Sequence, residues 1–139
     1  MEKPRLLIVD DSLLMRDIIQ ETVKDAFPEV LTSVANDGNE AQTMLAQKHF
    51  DLVLCDWEMP ALNGNELLQW LRERSSEKKV PFIMITAKDE KEHILEAMKL
   101  GVTDYIVKPF TPEILCQKVK IALNKSGWIE PSAPGRQVG

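Results

Sequence analysis

The sequence predicts an α/β domain built on a parallel sheet with helices on both faces. Three observations carry this. Short apolar runs recur along the 139 residues, most of them are continuous rather than alternating, and helix-period segments lie between them. Continuous β-branched runs suit strands covered on both faces. A strand-helix order repeated along the chain, with right-handed crossovers, then gives a doubly wound sheet.

The apolar runs are Leu6–Val9, Val30–Ala35, Leu52–Cys55, Phe82–Ile85 and Tyr105–Val107. After the first run, Met15, Ile18, Ile19, Thr22, Val23 and Ala26 fall on one helical face. Leu67, Leu68 and Leu71 mark the helix after the third run, and Leu115, Val119, Ala122 and Leu123 the last one. That last helix has a defined start: Thr111 as N-cap, Pro112 at the first helical position, and Glu113 near the positive end of the dipole. The helical pattern stops after Asn124, so residues 1–124 read as the domain. Residues 125–139, with Pro131-Ser132-Ala133-Pro134-Gly135, read as a tail or linker.

Composition narrows the function classes. A 44% hydrophobic fraction is ordinary for a globular domain. A formal net charge of −5 with no Lys/Arg block argues against nucleic-acid binding. No stretch is long enough to cross a bilayer, and no signal peptide is evident. Cys55 and Cys116 make neither a disulfide framework nor metal-ligand spacing, and both sit in apolar segments. Two buried thiols and a cytoplasmic setting are the expectation.

The chemistry gathers at strand ends. The first run ends in Asp10-Asp11, the third in Asp56, the fourth in Thr86 and the fifth in Lys108. In a parallel doubly wound sheet, sites lie beyond the carboxyl ends of the strands. Taken singly, Asp11-Ser12 reads as a helix cap, Asp56 as a turn residue, Thr86 as a cap and Lys108 as solvated. Taken together, clustered carboxylates repel unless a cation neutralises them. The set suits Mg²⁺, with a phosphoryl group as the ligand shared by lysine and hydroxyl.

These residues, Val9-Asp10-Asp11-Ser12, Asp56-Trp57-Glu58-Met59-Pro60, Asn63-Gly64, Thr86-Ala87 and Lys108-Pro109-Phe110, resemble the receiver domains of two-component response regulators, chemotaxis regulators among them. The likeness runs from about Arg5 to about Leu123. It implies a flavodoxin-like five-stranded sheet of order 2-1-3-4-5 with five helices. It implies Asp56 as phosphoacceptor, and Mg²⁺ held by Asp11, Asp56 and the Glu58 backbone carbonyl, with Asp10 acting through a metal-bound water. Thr86, Ala87 and Lys108 would bind phosphoryl oxygens, Thr86 and Tyr105 would form the switch, and Lys108-Pro109 would be cis. The partners implied are a histidine kinase or phosphotransfer protein and a downstream effector, with a phosphorylation-dependent dimer allowed. The expected domain modifies only itself and is otherwise no enzyme.

Departures from the common pattern are Asn63 before the glycine, Glu58, Lys88 and Val102. Glu58 and Lys88 should lie at the rim of the site with opposite charges, where a bridge between them would bear on the lifetime of the phosphorylated form. A haloacid-dehalogenase-like phosphatase would want Asp-x-Asp after the first strand, and a flavin binder a phosphate loop free of acids. A receiver-like interaction module that is never phosphorylated would lack part of the set, and here every expected side chain is present. His49 and His93 read as surface residues, with no acidic partner for His49. Met44, Met84 and Met98 read as core filler, Trp57 as either a gate or packing, and Lys78-Lys79 and Lys88–Glu92 as solvated surface.

Overall fold

The computed structural model describes residues 2–74 and 79–128. Lys78 and the distal tail, 129–139, lie outside the described residues. The elements are β1 (Arg5–Val9), α1 (Leu13–Ala26), β2 (Leu31–Ala35), α2 (Gly38–Gln47), β3 (Leu52–Cys55), α3 (Gly64–Glu73), β4 (Phe82–Thr86), α4 (Lys91–Leu100), β5 (Asp104–Val107) and α5 (Pro112–Lys125). All strands pair in parallel, in the order β2-β1-β3-β4-β5.

The continuous apolar runs become the inner strands. β3 and β4 are buried throughout, and β1 from its second residue, whereas the edge strands β2 and β5 are mixed. Alternation along each inner strand divides the core in two. Leu6, Ile8, Leu52, Leu54, Ile83 and Ile85 face α1 and α5. Leu7, Val9, Val53, Cys55, Phe82 and Met84 face α2, α3 and α4. Each central strand thus feeds both layers, which is why its sequence does not alternate.

Helix starts are capped where the sequence permits. Ser12, Asp37, Asn63 and Thr111 each accept a backbone N–H of the first turn, and Asn63 forms a capping box with Glu66. The amide at position 63 therefore does the capping that an aspartate would do. α4 is the exception: Glu90 precedes it without a side-chain cap.

Several expectations need correction. On α1 only Ile19 and Val23 are buried, with Met15 partly packed; Ile18 and Ala26 are exposed. The helix meets the sheet through a stripe spaced by four residues, narrower than the six-residue face. Met98 is 61% exposed, because α4 touches the sheet mainly through the small Ala97. Cys116 is only partly buried, whereas Cys55 is fully buried. The ordered domain also runs past Asn124. α5 ends at Lys125, Gly127 takes φ +86°, and the Trp128 N–H returns to the Leu123 carbonyl at 3.0 Å. Trp128 then packs on the core beneath α1 and α5, so the first residues of the expected linker belong to the fold.

Candidate functional site at the carboxyl edge of the sheet

Parallel pairing continues one residue past the strand ends. The Asp10 N–H donates to the Ala35 carbonyl, Asp56 N–H to Val9, and Lys108 N–H to Thr86. These bonds set Asp10, Asp56, Thr86 and Lys108 along one edge. Asp10 and Thr86 are buried, Asp56 is half-buried and Asp11 is exposed.

The charges are close. Lys108 Nζ lies 3.0 Å from Asp10 Oδ2 and 3.6 Å from Asp56 Oδ2. Asp10 Oδ1 also accepts the Ser12 N–H at 2.9 Å, and Asp56 Oδ1 accepts the Trp57 N–H at 2.7 Å. Burial raises the Asp56 carboxyl above its ordinary value; Lys108 opposes this, and the Asp10 charge adds to it. Burial likewise pushes the Cys55 thiol well up, with Asp56 and Asp10 reinforcing the shift, so Cys55 stays a neutral core residue. The Lys108-Pro109 bond is cis.

The donor set fits a hard cation. One oxygen from each of Asp10, Asp11 and Asp56 falls within 4.8 Å of the others. Among the described residues no nitrogen or sulfur ligand joins them, and Lys108 alone is too little to neutralise three carboxylates.

Beyond the charged residues, the loops around the site contribute through their backbone and packing. The Gly64 N–H donates to the Trp57 carbonyl at 2.7 Å, and a Cβ at Gly64 would overlap the Asp56 carbonyl. Only glycine lets α3 start this close behind Asp56. Ala61, in the same loop, adopts φ +68°, a strained choice for a residue with a side chain. Arg16 reaches from α1 to the Asp10 carbonyl at 2.7 Å. Gly38 is held against the Leu62 backbone, so α2 supports the loop from its other side.

Around the rim, Lys88 Nζ pairs with Glu58 Oε2 at 3.0 Å. Tyr105 donates its hydroxyl to the Lys88 carbonyl. Burial, with the charges of Glu90, Asp89 and Asp56, pushes its phenol up to about 12. Ala87 is exposed between Thr86 and Lys88. Trp57 is buried and meets His93 edge-on at 5.4 Å, so it packs rather than gates. Both histidines have acidic partners: His93 with Glu90 and His49 with Asp51, each at 2.9 Å. His49 lies past the end of α2, in extended chain, where residues two apart share a side. Among the described residues no helix is long and apolar enough to cross a membrane.

Comparison with known proteins agrees with this arrangement. The family described as response regulator receiver domain matches residues 6–120. The chain is similar to chemotaxis protein CheY of Pseudomonas aeruginosa, 39% identical over 117 residues, covering 84% of this chain and 93% of the relative. It is also similar to chemotaxis protein CheY1 of Helicobacter pylori, 41% identical over 121 residues, covering 86% and 96%. Among solved structures, chemotaxis protein CheY4 of Vibrio cholerae aligns with a TM-score of 0.80 at 31% identity, covering 87% of this chain and 99% of that one. A CheY-like receiver domain protein from Methanospirillum hungatei gives 0.81 at 27% identity, covering 91% and 98%. The sheet order, the acidic cluster and the matched length lead to one assignment: the chain belongs to the response regulator receiver domain family and is a phosphoryl-accepting signal receiver of two-component signalling.

Proposed function

We propose that Asp56 is the phosphoacceptor and that its neighbours form the phosphoryl site. The observation that supports this most is the convergence of Asp56 with Asp10, Asp11 and Lys108 at one sheet edge. A carboxylate oxygen of Asp56 forms the new O–P bond as the P–N bond to the donor's phosphohistidine breaks; the leaving imidazole takes a proton. Lys108 draws a non-bridging oxygen, and the Thr86 hydroxyl and Ala87 N–H donate to another. Asp11, Asp56 and the Glu58 carbonyl would hold Mg²⁺ directly, and Asp10 through water. When bound, the ion supplies charge neutralisation on the phosphoryl oxygens.

The new dianion would recruit Thr86, and Tyr105 would follow, re-sorting the surface of α4, β5 and α5 that an effector reads. The donor is a histidine kinase or phosphotransfer protein in the cytoplasm, and the domain catalyses only its own phosphorylation and dephosphorylation. The relatives' names point to chemotaxis as one output for such a domain.

Incubation with acetyl phosphate and Mg²⁺ should add one phosphate that is stable in acid and labile in base. Asp56→Asn should abolish most of it, because an amide is a poor nucleophile and a weaker metal ligand. Chelation of the metal should also stop it. Intact-mass measurement reads the outcome, and undiminished labelling of Asp56→Asn would remove Asp56 from the role.

A further inference from the structure

Lys88 sits in the loop between β4 and α4, two residues past Thr86. Each of its polar groups goes to a different part of the site. Its N–H donates to Thr86 Oγ at 3.4 Å. Its carbonyl accepts the Tyr105 hydroxyl. Its ammonium pairs with Glu58, which stands two residues past Asp56 on the neighbouring loop. The lysine side chain is 25% exposed, so its stem is packed while its head crosses to the other loop.

The rest of that loop has few tethers. Ala87, Asp89 and Glu90 are exposed, and α4 begins without a side-chain cap, since the Glu90 carboxylate turns to His93. The Glu58–Lys88 pair is therefore a principal restraint on the residue whose backbone both switch hydroxyls touch. We propose that Lys88 is a positioning residue: its ion pair with Glu58 fixes the Lys88 backbone where Thr86 meets its N–H and Tyr105 its carbonyl, so that charge across the mouth of the site, and not the phosphoryl group alone, sets how Tyr105 lies. This rests on the reading of Asp56, Thr86 and Tyr105 given above.

The size of the effect is bounded. Glu58 is 71% exposed, and pairs of this kind shift an equilibrium by no more than about five-fold. A two- to five-fold bias is small for stability but large for a switch whose two positions are close in free energy.

Tyr105 is the only tyrosine in the chain, so protein grown with 3-fluorotyrosine carries a single fluorine resonance. That resonance should be recorded for wild type, Glu58→Gln, Lys88→Met and the double variant, first without any phosphoryl analogue. Lys88→Met keeps the backbone carbonyl and removes only the charge. The single variants should move the resonance in the same direction, and the double variant no further than either. Salt at about 1 M, where screening acts over about 3 Å, should move wild type toward the variants and leave the double variant in place. Beryllium fluoride with Mg²⁺ should then bring all four to one position. A resonance unmoved by either substitution overturns the proposal, and so do shifts that add in the double variant. Circular dichroism of each variant separates loss of fold from loss of the pair. Failure of Asp56 to take phosphate would defeat the functional reading, yet the comparison made without analogue would still decide the role of Lys88.

Discussion

β3 carries an aspartate just before its first residue and another just after its last, and the two have opposite fates. Asp51 is buried at the amino end. It accepts the Arg5 N–H at 2.8 Å and a His49 ring nitrogen at 2.9 Å. Burial alone would raise its carboxyl, but these donors outweigh burial and bring it below the ordinary value. Asp56, at the carboxyl end, has one backbone donor and shares Lys108 with Asp10 while other carboxylates crowd it, and its carboxyl is raised. A carboxylate whose lone pairs are filled holds the fold together. One left short of donors beside like charges keeps oxygens free, as the proposed phosphoacceptor role of Asp56 requires. The two ends of one short strand thus give two carboxylates shifted in opposite directions.

The largest expected effect tests that contrast directly. Asp51→Asn should destabilise by about 1–3 kcal/mol, since an anionic acceptor of several donors is replaced by an amide that must turn a donor inward. Asp56→Asn, measured without metal, should cost nothing or raise the melting temperature, because it removes a charge from a crowded cluster. The pH dependences should run in opposite senses. The folded-state carboxyl of Asp51 is lowered, so its stabilisation is present above the ordinary carboxylate value, about 3.9, and is lost as pH falls through the folded value. The gap between wild type and Asp51→Asn should therefore close in acid. The carboxyl of Asp56 is raised, so its stabilising contribution is present below the ordinary value and is lost as pH rises through the folded one. The benefit of Asp56→Asn should accordingly be greatest near neutrality. Thermal melts across pH read both, and equal destabilisation by the two substitutions would break the comparison.

Only one of the two ends was legible in the sequence. Asp10, Asp11, Asp56, Thr86 and Lys108 each end a recognisable apolar run, so parallel pairing was enough to bring them together. The partners of Asp51 come from the first residue of β1, from the loop after α2 and, at its backbone carbonyl, from beyond α5, and no periodicity links Arg5, His49 and Ser126. Trp128 read as linker because a Ser-Gly step normally ends structure, whereas here Gly127 in the left-handed region turns the chain back onto the core. The buried faces of the inner strands followed from β-branched runs. The outer face of α4 did not, because a helix seated on a single alanine leaves a methionine and a leucine outside without any break in pattern.

A smaller effect sharpens the contrast from the ligand side. Mg²⁺ at about ten times its dissociation constant should stabilise wild type by about 1.4 kcal/mol. Asp51→Asn should keep the whole of that increment, because its site lies at the other end of the strand. Asp11→Asn should lose most of it, since Asp11 contributes an oxygen to the acidic cluster and is otherwise exposed. Melting temperature as a function of Mg²⁺ concentration reads this, and an increment retained in Asp11→Asn would move the cation elsewhere.

The smallest effect concerns the ion pairs that each end carries. His49–Asp51 closes the amino end at 2.9 Å, and Glu58–Lys88 crosses the rim of the carboxyl end at 3.0 Å. Glu58 borders an open hollow of about 400 Å³ together with Asp11, Met59, Pro60 and Asn63. Hydrolysis of an aspartyl phosphate requires a water in line with the bond that breaks. A charged pair at the rim should hinder that approach, and the Glu58 carboxylate should repel hydroxide. Wild type should therefore lose phosphate more slowly than Glu58→Asn or Lys88→Ala, by no more than about five-fold, the ceiling for an exposed pair. His49→Ala should lose it at the wild-type rate, because its pair lies at the opposite end of the sheet. The measurement is phosphate loss from purified phosphoprotein for wild type, both rim variants, their double and His49→Ala. Equal decay in all five rejects a role for the rim. Effects of Glu58→Asn and Lys88→Ala that simply add in the double variant reject the pair and leave two independent charges. A change in His49→Ala matching theirs would mean that general loosening of the domain governs the lifetime.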